Sequence, residues 1–91
     1  MEDEPTSLDI ERTILHKLAR RGAWGGVHMP LDTLIRQLAK KIKRDGKRIR
    51  GIVDSLLKKG YLIPHKGGNA VSLNPSKKGE IVREIEEFLS H

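Results

Sequence analysis

Apolar positions recur along this chain at two different periods, and the change of period divides it. Ile10, Ile14, Leu15 and Leu18 follow the i, i+4, i+5, i+8 spacing of one buried helical stripe. Thr6 or Ser7 can cap that helix, Asp9 and Glu11 suit its first turn, and Gly22 closes it just after Arg20 and Arg21. The stretch Ala23 to Pro30, AWGGVHMP, is a glycine-broken connection in which Val27–Met29 is a candidate short strand. Pro30 pre-sets the start of a second helix, with Asp32 in its first turn and Leu31, Leu34, Ile35 and Leu38 on its apolar face. Ile42 is expected to plug the turn that follows. Asp45 is the expected N-cap of a third helix running to about Lys59 and ending at Gly60.

On that third helix Ile49, Ile52, Val53 and Leu56 share one side at helical period. Lys47, Arg50, Gly51, Asp54, Ser55 and Lys58 fall on the other, with Arg48 on a flank. One face belongs to a core and the other is free to meet a partner. After Gly60 the period shortens. Tyr61–Pro64 and Ala70–Leu73 are short β-prone runs joined by His65–Lys66–Gly67–Gly68–Asn69, whose glycines and asparagine supply the positive φ angles of a hairpin turn. Pro64 makes the first run an edge strand. Asn74 caps a last helix with Pro75 at its first position, and Ile81, Val82, Ile85, Phe88 and Leu89 give that helix an apolar face.

Ninety-one residues hold one domain, taken as 1–91 with residues 1–6 as a flexible acidic N-terminus. A core this small is marginal alone, which makes a homodimer through the N- and C-terminal helices an expectation. At 36% hydrophobic and 33% charged, the composition is that of a soluble domain with a high charge load. No cysteine is present, which removes disulfides and thiolate chemistry and fits a cytoplasmic setting. No apolar run approaches a membrane span, and the acidic start does not resemble a signal peptide, so no membrane partner is expected.

Charge changes the picture more than composition does. Lys40 to Arg50, KKIKRDGKRIR, holds seven Lys or Arg and one acid, a local +6 equal to the net +6 of the whole chain. The remainder sums to zero, with acidic ends at Glu2–Glu4 and Glu84–Glu87. A concentrated basic stripe at a helix N-terminus is the footprint of a phosphate-binding surface, and hence points to nucleic acid. Lys47 and Arg48, and Lys77 and Lys78, occupy first turns, where cations oppose the helix dipole at roughly 0.3–1 kcal/mol each. A phosphate docked there would reverse the sign at both sites.

The order helix, short strand, helix, turn, helix, hairpin, helix resembles a winged helix-turn-helix domain over about residues 8–90. Leu34, Leu38, Ala39, Ile42, Asp45, Ile49, Val53, Leu56, Gly60, Leu62 and the hairpin through Leu73 carry the resemblance. RIRGIVDSLLKKGYLI looks like the recognition helix running into the wing of MarR-type and related archaeal or bacterial regulators, and SLNPSKKGEIVREI like their wing-to-last-helix junction. The implied fold class is α+β, mostly α: a three-helix core, a short strand plus a hairpin wing, and a C-terminal helix. The implied function is duplex DNA binding by a small transcriptional regulator, with helix three in the major groove and the wing on the backbone. Carried over by position, Lys47, Arg48, Arg50, Gly51, Asp54 and Ser55 would face or flank the groove. Lys40, Lys41, Lys43, Arg44, His65, Lys66 and Asn69 would contact phosphates. Arg50 would read guanine bidentately, and Gly51 would let the helix approach closely.

Other chemistry has little to stand on. His16, His28, His65 and His91 are scattered, so neither a metal nor another cofactor is expected. Trp24 reads as a packing residue, and with only Tyr61 and Phe88 as further aromatics a base-stacking platform is not built. No nucleophile–base spacing, phosphate-cradling glycine loop or paired carboxylates are found, so an enzyme is not expected. The competing reading is a protein-interaction adaptor in a transcription, replication or RNA-processing assembly, working through the acidic last helix. A double-stranded-RNA binder is a third.

Overall fold

The computed structural model describes residues 6–41 and 46–90. Four helices and three short antiparallel strands form a mostly helical α+β domain: α1 (Ser7–Arg20), β1 (Met29–Pro30), α2 (Leu31–Lys41), α3 (Gly46–Lys59), β2 (Leu62–His65), β3 (Ala70–Leu73) and α4 (Lys78–Leu89). Ile42, Lys43, Arg44 and Asp45, expected as turn plug, phosphate contacts and helix cap, lie outside the described residues, as does the side chain of Lys41. Among the described residues no helix is long and apolar enough to cross a membrane.

Local chemistry accounts for the helix ends. Thr6 caps α1 in a reciprocal box: its hydroxyl accepts from the Asp9 N–H at 3.1 Å, and the Asp9 carboxylate accepts from the Thr6 N–H at 3.2 Å. At the other end Gly22 takes φ +69°, and the Ala23 N–H turns back to the Leu18 carbonyl. Gly60 ends α3 in the same way at φ +83°.

The helices and sheet meet on one core. Ile10, Ile14, Leu15 and Leu18 of α1, Leu34 and Leu38 of α2, and Ile49, Val53 and Leu56 of α3 pack with Leu62, Val71, Leu73 and Ile81. Trp24 is half-buried against that core, as its packing reading predicted. Arg12 of α1 pairs with Glu84 of α4 at 2.9 Å, and the His16 and Phe88 rings lie 5.6 Å apart, so the last helix rests on the first.

The sheet order is β1-β3-β2, with β3 central. Ala70, Val71, Ser72 and Leu73 are all buried. β2 pairs with one edge of β3, Leu62 opposite Leu73 and His65 opposite Ala70. The other edge takes Met29 opposite Val71 and Pro30 opposite Ala70. Farther along, the Leu73 N–H donates to the Ala23 carbonyl at 2.7 Å, and the Gly25 N–H donates to the Leu73 carbonyl at 2.9 Å.

Several expected boundaries move. The short strand is Met29–Pro30 rather than Val27–Met29, because Met29 is the residue whose side chain reaches the core opposite Val71, and Val27 is left 59% exposed. Pro30 therefore sits in a strand, and α2 starts at Leu31. β2 runs one residue later than expected, since the Tyr61 N–H is already used by the Leu56 carbonyl and His65 pairs with Ala70. Asn74 caps a single 3-10 turn, Pro75–Lys77, which leads into α4. Ile81 is buried and Val82, Ile85 and Phe88 are half-buried, but Leu89 is 59% exposed, at the end of the helix.

Candidate nucleic-acid interface

α3 divides as its periodicity demands. Ile49, Ile52, Val53 and Leu56 are buried, while Lys47, Arg50, Gly51, Asp54 and Lys58 are exposed on the opposite side. Ser55 and Arg48 are half-buried on the flanks. A Cβ built on Gly51 meets nothing within 4 Å, so the outward face carries a dent in the middle of its charged row. Lys47 and Arg48 lie in the first turn with no acid among its described residues, and the positive end of the helix dipole adds to their potential. Lys40 is exposed near the end of α2.

The start of α2 reaches toward both the hairpin and that face. The Leu31 N–H, first in α2, donates to the Asn69 carbonyl at the hairpin end at 2.9 Å. The next residue, Asp32, places its Oδ1 3.8 Å from Nη2 of Arg50 on α3. Two neighbouring residues at the start of α2 thus reach the hairpin on one side and Arg50 of α3 on the other. Lys66 and Asn69 are exposed on the turn, and Lys66 holds φ +52°, the sole non-glycine at positive φ among the described residues. It is followed by Gly67 at +67° and Gly68 at +94°, so three successive left-handed residues turn the chain. A lysine in that conformation is strained, and strain of this kind collects where a side chain must be aimed.

His65 does something other than reach outward. Its Nε2 lies 2.9 Å from Oγ of Ser72, which is wholly buried, and the Ser72 hydroxyl donates to the Gly25 carbonyl at 2.7 Å. The single hydroxyl hydrogen is spent on Gly25, so Nε2 of His65 is the donor and carries a proton. His28 lies against the same ring, centroids 4.6 Å apart. The structure thus unites two histidines that looked scattered, although among the described residues no group of three or more His, Asp or Glu assembles to hold a metal. A polar residue on the central strand was the available sign that a partner must exist for Ser72.

No family model, characterised protein or solved structure matches the chain. Of the residues singled out for nucleic-acid contact, Lys47, Arg48, Arg50, Gly51, Asp54 and Ser55 come together on or beside one helix face. Lys66 and Asn69 stand on the adjoining hairpin turn, and Lys40 stands at the α2 end. His65 lies at the base of that turn with one ring nitrogen engaged inside the fold. Sequence reasoning passed over a second basic cluster, Lys17, Arg20 and Arg21, which lines a shallow cleft at the end of α1. It also passed over Asp32 as a neighbour of Arg50.

The His65–Ser72–Gly25 series predicts that Ser72→Ala destabilises the domain by about 1–3 kcal/mol, because the Gly25 carbonyl and the His65 N–H both lose their partner. Chemical denaturation measures this, and a loss below about 0.5 kcal/mol contradicts it.

Proposed function

We propose that this domain binds duplex DNA in the manner of a winged helix, as a small transcriptional regulator, with α3 in the major groove and the β2–β3 hairpin on the neighbouring backbone. The observation that carries the reading is that neighbouring residues at the start of α2 reach both parts: the Leu31 N–H bonds the Asn69 carbonyl of the hairpin, and Asp32 lies 3.8 Å from Arg50 on the exposed face of α3. A helix face and a turn so placed can follow a groove and its adjacent strand together. The charge supports it as well. Of the stripe's cations, Lys47 and Arg48 lie in the first turn of α3, Arg50 follows on its outward face, and Lys40 is exposed near the end of α2.

The parts have distinct tasks in this reading. Lys40, Lys47 and Lys66 neutralise phosphates, and the positive end of the α3 dipole favours one at its first turn. Arg50 reaches a base edge, where a guanidinium matches the two acceptors of guanine. Gly51 allows the helix to sit deeper. Leu8 and Leu89, 46% and 59% exposed on α1 and α4, supply apolar surface for a homodimer joined through those helices.

About five neutralised phosphates give a slope of log K against log salt near −4 to −5. Lys47→Glu combined with Arg50→Glu weakens duplex binding by well over tenfold and flattens that slope by at least about one, measured by fluorescence anisotropy. Unchanged affinity in the double variant overturns the reading; recovery of a stoichiometric protein partner with no duplex binding at low salt favours an adaptor instead. Gly51→Ala separates folding from binding. It stabilises the helix by about 0.5–1 kcal/mol in denaturation, since the methyl group meets open space, yet lowers duplex affinity. A variant that is both more stable and equally tight in binding contradicts close approach at Gly51.

A further inference from the structure

An acid on a surface meant for phosphates calls for an explanation, and Asp32 is one. Its position in the first turn of α2 suits the helix dipole, as any acid there would. The dipole does not account for where the carboxylate goes: across the helix pair, to 3.8 Å from the guanidinium of Arg50. Both side chains are open to solvent, at 83% for Asp32 and 56% for Arg50, so the pair contributes little to stability. A contact that adds little to the fold but engages the foremost arginine of the exposed face has its consequence in binding. Asp54, exposed one helical turn beyond Arg50, sets a second carboxylate on the same face.

We infer that Asp32 is a specificity-determining residue that acts through Arg50, an inference that rests on the duplex-binding reading. With Asp32 beside it, Arg50 carries a partly neutralised charge and is steered to one side of the helix. A phosphate approaching Arg50 must also approach the carboxylate, and this repulsion weakens contacts to backbone of any sequence. A guanine edge is uncharged, presents two acceptors to the guanidinium and incurs far less repulsion from the acid. The pair therefore shifts Arg50 away from holding phosphate and toward reading a base. Specificity is gained here through a repulsive element that handicaps the wrong partner.

The test compares wild type, Asp32→Asn, Asp32→Glu and Asp32→Asn in an Arg50→Gln background. Each is titrated with randomised duplex at several salt concentrations, and sequences selected from the same pool are read out. Asp32 is exposed, so Asn leaves the fold intact, which circular dichroism checks. Asp32→Asn should bind the unselected pool about three- to tenfold more tightly, with a salt slope steeper by about one. It should also flatten the base preference at one position of the selected site. Asp32→Glu should keep the wild-type preference. In the Arg50→Gln background the Asn substitution should change no base preference, because the reader is gone. A wild-type chain that binds duplex, with an Asn variant that neither gains affinity nor loses preference, overturns this inference alone. A wild-type chain that does not bind duplex overturns the binding reading and the role of Asp32 with it.

Discussion

Burial of β3 on every side is the constraint from which the remaining geometry follows. Four consecutive buried residues carry backbone groups that need partners, since an unpaired buried amide or carbonyl costs about as much as a lost hydrogen bond. β2 satisfies one edge. The other is shared between Met29–Pro30 and the chain leaving α1, through Ala23 and Gly25. One strand thus decides where α1 ends, where α2 begins and how the hairpin stands. Val71 and Leu73 join the apolar core, while Ser72 turns to the other face and finds its partners in Gly25 and His65.

The positions that matter for binding are consequences of this arrangement. Because Pro30 pairs at the hairpin end of β3, the next residue, Leu31, can bond Asn69, and Asp32 then comes up against Arg50. α3 is held from beneath by Ile49, Val53 and Leu56, so its orientation is set by apolar packing while its outer face is left to charge. The domain separates the two tasks cleanly: what positions α3 is buried, and what would meet a partner is exposed. The proposed readout by Arg50, tempered by Asp32, is an extension of that separation.

Helices were readable from the chain because each is specified by its own residues. Ile10, Ile14, Leu15 and Leu18 are all buried as their spacing required, and so are Ile49, Ile52, Val53 and Leu56 on α3. The two-residue strand was misplaced because it has no pattern of its own: Met29 and Pro30 are a strand only because Val71 and Ala70 lie opposite. His28 with His65, Ser72 with Gly25 and Asp32 with Arg50 were illegible for the same reason, since each joins positions far apart in sequence. Leu89 shows a further gap: helical period assigned it to the apolar face, but in the last turn of α4 it is left in solvent. The basic stripe itself was legible as charge, and α3 sorts part of it into an outward row.

The central claim is that the exposed face of α3 and the hairpin turn meet one and the same ligand. Amide chemical-shift mapping during titration with duplex DNA addresses this most directly. The account predicts that Lys47, Arg50, Gly51 and Asp54 shift together with Lys66 to Asn69 along one saturable curve, while Glu80, Arg83 and Glu87 on the outer side of α4 stay in place. Shifts confined to α4, or a helix response without one from the hairpin, would contradict it.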